Sequence, residues 1–212
     1  IARARQIAAF GEVPFRDFFD PGYFLTLYTS AALQRLLGDN LLGECLLNIT
    51  CLAAGATATC QLAWMAVHDR EVPGNRANRG GLTTWLAAAA GLLAVGLVLA
   101  SEPRTYDYDK VLFIPLGLLC CWRYADEPSD STLRLLGVVT AVAGLFRYDS
   151  GIYLGSAALV TVVARHWGSW RVLGRRLATY GAVVLVVAGP ALLFIARTAG
   201  LGRSEEHTVE LQ

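Results

Sequence analysis

The sequence predicts an all-α, polytopic membrane protein, with about six transmembrane helices behind an N-terminal exterior loop that carries an interfacial amphipathic helix. Three observations predict it. Apolar residues fill 55% of the 212 positions and the mean hydropathy is +0.45, both above the soluble range. They gather in long runs: Leu82 to Ala100 holds no ionisable side chain, Leu46 to Val67 only Cys51 and Cys60, and Leu177 to Ala196 no charge. Each run can cross about 30 Å of hydrocarbon as a helix rising about 1.5 Å per residue. Third, loop charge alternates. The loops at His68 to Gly80, Arg123 to Arg134 and Arg165 to Arg176 are rich in arginine, whereas Ser101 to Lys110 has only Arg104 and Lys110, and Arg147 to Ser150 only Arg147. Basic loops stay on the cytoplasmic side, so "PRTYDYDK" at Pro103 to Lys110 is expected outside. Arg3, Arg5, Arg16 and Arg35 run against the pattern. A net charge of +1 gives no reason to expect nucleic acid as a partner.

Residues 1–43 read as the exterior segment. No basic, apolar and small-residue series of a signal peptide follows Ile1. "FGEVPFRDFFDPGYF" reads as a structured acidic loop, because Pro14, Pro21 and Gly22 interrupt any helix. A helix is expected from Tyr23 to Leu37, stopped by Gly38. Its polar residues Thr26, Thr29, Ser30 and Gln34 share one stripe, and Phe24, Leu27, Tyr28 and Ala31 lie away from it. That pattern suits a helix lying in the membrane interface. Residues 44–202 form the helical module, with spans near 45–67, 82–100, 111–122, 134–146, 151–164 and 177–196. The three middle runs, Val111 to Trp122, Leu135 to Phe146 and Gly151 to Ala164, are short. They are read as spans because flanking arginines and lysines snorkel and Tyr124, Tyr148 and Tyr153 suit an interface.

The charged residues define the candidate sites. Asp107 and Asp109 lie two apart at the mouth of a span. In an extended segment both carboxylates face one side and can share a divalent cation, Mg or Mn. Solvated aspartates paired with Arg104 and Lys110 fit the same spacing. Arg147 and Asp149, in "LFRYDSGIY", sit between two short apolar runs. Ionisable groups at that depth mark a functional site or a structural ion pair. Asp17 and Asp20, beside Arg16, read by default as loop charges. The cysteines behave as small apolar residues, with no zinc or disulfide spacing. The sequon at Asn48 lies inside a span, and His68 and His166 read as structural. There is no P-loop, dinucleotide-binding glycine pattern or serine elbow.

Three stretches carry a resemblance: "ARQIAAFGEVPFRDFFDPGYFLTLYTSAALQRLLGDNLLGE", "RTYDYDK" and "GLFRYDSGIY". Together they resemble the GT-C membrane glycosyltransferases, and within them the bacterial relatives of protein O-mannosyltransferases and aminoarabinose transferases. The resemblance runs to about Arg197 and implies a module of seven spans, of which the six here are the second to seventh. It implies transfer of a sugar from a polyprenyl-phosphate donor to a lipid, glycan or protein acceptor, on the periplasmic face of a bacterial inner membrane. By that likeness Asp17 and Asp20 lie where the first acidic group works, with Arg16 and Asp149 supporting. Asp107 and Asp109 match the acidic motif that binds metal in some branches, and Arg147, Lys110 or Arg104 hold the donor phosphate. The family's first catalytic acid would precede Ile1, so Asp17 and Asp20 are expected to support it. "RSEEHTVELQ", residues 203–212, resembles a translated sequencing adapter except at Val209 and is expected to be a non-native tail, so His207 is not a ligand candidate. Two other readings fit the same composition. One is part of a secondary transporter with helices broken at Pro115 and Pro190; the other is a non-catalytic scaffold.

Overall fold

A computed structural model describes residues 2–18, 22–38, 42–68, 80–101 and 108–199. These residues form eight helices and no strand: α1 (Ala2–Phe10), α2 (Phe24–Leu37), α3 (Leu42–His68), α4 (Gly80–Ser101), α5 (Tyr108–Asp126), α6 (Asp130–Phe146), α7 (Tyr148–Arg165) and α8 (Trp170–Ala199). The all-α class holds, and each expected span falls within one helix. Helices α5 to α7 run several residues beyond their apolar runs, because Asp109, Lys110, Arg123 and Asp126 belong to the terminal turns. Charged residues are good or neutral helix formers there and need no apolar contact.

Short connections make α5 to α8 antiparallel neighbours. Their core brings together Cys120, Cys121 and Tyr124 of α5, Leu133, Leu136 and Val139 of α6, Ala158 and Val162 of α7, and Leu173 and Tyr180 of α8. A second cluster of Phe113, Ala143 and Leu154 closes the other end of α5, α6 and α7. Helix α3 packs along α5 and carries α4 on its outer side. Ser129 starts α6 through a capping box, accepting from Thr132 N at 3.1 Å while its own N–H donates to Thr132 Oγ1 at 3.2 Å.

Among the described residues, two helices are long and apolar enough to cross a membrane, within Leu42–Ala66 and Trp170–Thr198. Only 17% and 6% of their most apolar windows is buried, so neither is sheathed by protein as the core helix of a soluble domain would be. Leu185, Val186 and Leu193 of α8 are each more than 60% exposed.

Three details differ from expectation. Residues 2–10 form α1, packed on α2 through Ala4, Ile7 and Ala31. The polar stripe of α2 faces inward: Ser30 and Gln34 are buried, and Thr26 Oγ1 donates to Phe146 O at 3.0 Å. Pro115 and Pro190 sit inside continuous helices, so neither is a break. Gly38 does end α2, at φ +86°, where a side chain would be strained.

Candidate functional site

Helix alternation puts the starts of α3, α5 and α7 and the ends of α4, α6 and α8 at one end of the bundle. Helix α2 lies across that end, touching α3 and α6, and Phe24 and Tyr28 stack on Phe194 near the end of α8 at centroid distances of 6.1 and 6.4 Å. Of the described sequence candidates, Asp109, Lys110, Arg147 and Asp149 lie here.

Arg147 is the whole α6–α7 connection. It is extended, at φ −158° and ψ 120°, and serves as C-cap of one helix and N-cap of the next. So short a reversal needs the helices to approach closely, and Gly144 and Gly151 allow it: a Cβ on Gly151 would stand 2.5 Å from Gly144 Cα. The Arg147 Nε donates to Asp149, 2.8 Å from Oδ1 and 3.0 Å from Oδ2. Asp149 Oδ1 also accepts from Ser150 N at 2.8 Å. The pair is mostly covered, with 16% and 24% of the two side chains exposed. Above it the guanidinium lies over the Tyr23 ring, 5.3 Å from its centroid. Tyr148 packs against Gly22, where a Cβ would meet its ring at 2.5 Å.

Asp109 lies in the first turn of α5 and is 2% exposed. One turn on, Phe113 meets Phe146 at a centroid distance of 5.1 Å, next to Arg147. Lys110 follows Asp109 and is half-buried. The expectation that Asp107 and Asp109 share one side rested on extended backbone, and Asp109 is in the first turn of a helix. Asp107 and Arg104 lie outside the described residues, as do Asp20, the loop at 69–79 and the tail at 203–212. Among the described residues no three His, Cys, Asp or Glu side chains gather as a metal site. Asp109 alone is not a divalent donor set.

Asp17 belongs to a different structure. Its carboxylate takes both Arg16 Nε at 2.9 Å and Nη2 at 2.7 Å, and the Val13 N–H at 2.8 Å. Arg16 and the Val13 amide hold its pKa down at about 2, which makes it a poor proton acceptor near neutrality. With Arg16 it locks the turn from Val13 to Asp17 that follows α1.

Glu44 is the residue the sequence reading passed over. It sits in the first turn of α3 and accepts from Ser30 Oγ at 2.6 Å and Gln34 Nε2 at 3.1 Å. The signal was available, since a lone acid at a helix start faced a polar stripe fourteen residues earlier. An apolar groove of 340 Å³ opens nearby between α3, α4 and α5, lined by Ile49, Leu52, Ala53, Ala56 and Val111 among others. No family model, curated protein or solved structure matches the chain.

Proposed function

We propose that the chain is the helical module of a GT-C-type glycosyltransferase, which moves a sugar from a polyprenyl-phosphate donor to an acceptor on the exterior face of a bacterial inner membrane. In this reading α3 to α8 are six spans, and α1 and α2 lie at the exterior interface. The observation that carries it is the gathering of Asp109, Lys110, Arg147 and Asp149 at one end of the bundle, under α2 and in an otherwise apolar frame. A lipid-linked sugar phosphate presents its anion at that depth. Arg147 would offer guanidinium N–H groups to the departing phosphate while Asp149 and Tyr23 hold its orientation, and Lys110 would add charge. Fixed donors aimed at developing negative charge are the largest catalytic aid for such a displacement. The groove lined by Val111 and Leu52 would take the first prenyl units. Binding of Mg or Mn by Asp107 with Asp109 belongs to the same proposal.

The test is transfer by the full-length gene product in proteoliposomes, supplied with a radiolabelled polyprenyl-phosphate sugar. Arg147→Gln is expected to lower the rate by about 100-fold or more, with D107N/D109N also severely impaired and chelator mimicking that loss. Unchanged transfer in these variants would remove their assigned roles. Flux of a soluble substrate without any polyprenyl donor would favour the transporter instead.

A further inference from the structure

The end of the bundle opposite Arg147 has its own chemistry. All five tryptophans of the chain lie toward it: Trp64 late in α3, Trp85 early in α4, Trp122 late in α5, and Trp167 and Trp170 at the α7–α8 corner. Trp85, Trp167 and Trp170 are 76%, 74% and 72% exposed. Arg165, Arg171 and Arg175 are exposed at the same corner. The sequence has no acidic residue between Asp149 and Glu205, and among the described residues no carboxylate pairs with these three arginines. Their neighbour Arg176 differs, being paired with Asp130.

The corner is built to hold its shape. His166 Nε2 and Tyr124 OH lie 2.8 Å apart, and Tyr124 is fully buried in α5. Leu173 and Tyr180 anchor the first turns of α8 in the core, which turns Arg171 and Arg175 outward. At 30 residues α8 is about 45 Å long, against about 30 Å of hydrocarbon. The excess of about ten residues accommodates Trp170 to Thr179 at headgroup depth.

We infer that the α7–α8 corner is a docking surface for anionic phospholipid, in which Arg165, Arg171 and Arg175 take headgroup phosphates and Trp167 and Trp170 seat the corner in the interface. Guanidinium matches a phosphodiester through paired N–H donors, and exposed tryptophan favours the boundary between chains and headgroups. A phosphatidylglycerol-type headgroup, with no cation of its own, complements three exposed arginines; phosphatidylcholine does not. The inference rests on the membrane part of the proposed function and is independent of the transfer reaction.

Tryptophan quenching by brominated lipid reads this end of the protein directly. In vesicles of mixed composition, brominated phosphatidylglycerol is expected to compete for the tryptophans about tenfold better than brominated phosphatidylcholine. R165Q/R171Q/R175Q should abolish the preference and the corresponding triple lysine variant should keep most of it, both with wild-type helicity by circular dichroism. The preference of the unaltered chain should also collapse in about 0.5 M salt, where screening acts within a few ångströms. Equal quenching by both lipids, a preference indifferent to salt, or one that survives in a folded triple glutamine variant would overturn the inference. Quenching by neither lipid would overturn the membrane reading with it.

Discussion

Arg147 shows how much one residue can be made to carry when a helical hairpin has a single connecting residue. Its backbone ends α6 and starts α7, its Nε is bound to Asp149, and its charge rests on Tyr23. The cation–π contact adds about 0.5–2 kcal/mol, enough to bias the guanidinium's orientation. The Arg147–Asp149 pair was legible in the sequence, because two ionisable residues between short apolar runs are costly unless paired. Tyr23 was not, since a contact across more than a hundred residues leaves no local pattern. Asp17 is an acid engaged by its sequence neighbours, as its default reading as a loop charge beside Arg16 implies. Its depressed pKa makes a prediction with a definite sign. The carboxyl titrates at about 2 when folded and at about 3.9 when unfolded. The loop lock is therefore intact above about pH 4 and is lost as pH falls through about 2. The Val13 amide resonance, which reports the bond to Asp17 Oδ2, should shift with a midpoint near about 2. A midpoint near about 4 would mean that the Arg16–Asp17 lock does not form in solution.

At the scale of elements, two glycine contacts set how helices cross. Pro115 has no N–H to give to Val111 O, four residues earlier in α5. That freed carbonyl points at α3, where Gly55 leaves room for backbone to approach it; a Cβ there would collide with Val111 O. A weak Cα–H···O contact is well suited to such a place. Gly144 and Gly151 do the same for α6 and α7. Gly55→Ala and Gly151→Ala should each destabilise the fold by about 1–3 kcal/mol through overpacking. Gly189→Ala, with nothing near its Cβ position, should change stability by less than about 1 kcal/mol. Thermal midpoints in one detergent would check this, and equal midpoints for all three variants would show that the close crossings are not required. Helix positions were readable because uncharged runs and breakers are local signals. Helix α1 was missed because it is short and its apolar stripe of Ala4, Ile7 and Ala8 is small, and Gly11 and Pro14 dominate the reading that follows. The polar stripe of α2 was read correctly as a stripe but given the wrong neighbour: water and the Glu44 carboxylate satisfy Ser30 and Gln34 equally well on paper.

For the whole molecule the choice is between six crossings and fewer, and it turns on α5, α6 and α7. Helices α5, α6 and α7 have 19, 17 and 18 residues, hence lengths of about 25–29 Å, marginally short of the hydrocarbon thickness. By length α3, α4 and α8, with 27, 22 and 30 residues, can cross, and α5 to α7 are marginal. Sidedness argues the other way. The exposed Tyr148 and Tyr153 lie at one end of α7, and Trp167, Trp170 and the exposed arginines Arg165, Arg171 and Arg175 lie at the other end of the α7–α8 hairpin. A helix with interfacial aromatics at both ends needs two interfaces, and modest mismatch is absorbed by thinning or snorkelling. The two arrangements differ at the α6–α7 turn. With six crossings, position 148 shares a side with α1 and not with the α7–α8 connection; if α5 to α7 do not cross, it shares a side with that connection. All five native cysteines are free, so they can be replaced and single cysteines introduced at Arg3, Tyr148 and Ser169. A membrane-impermeant maleimide applied to sealed vesicles of one orientation should label positions 3 and 148 together and leave 169 protected, with the pattern reversed in inverted vesicles. Labelling of 148 together with 169 would put Arg147 on the arginine-rich side of the membrane. The exterior donor site proposed for it would then lose its basis.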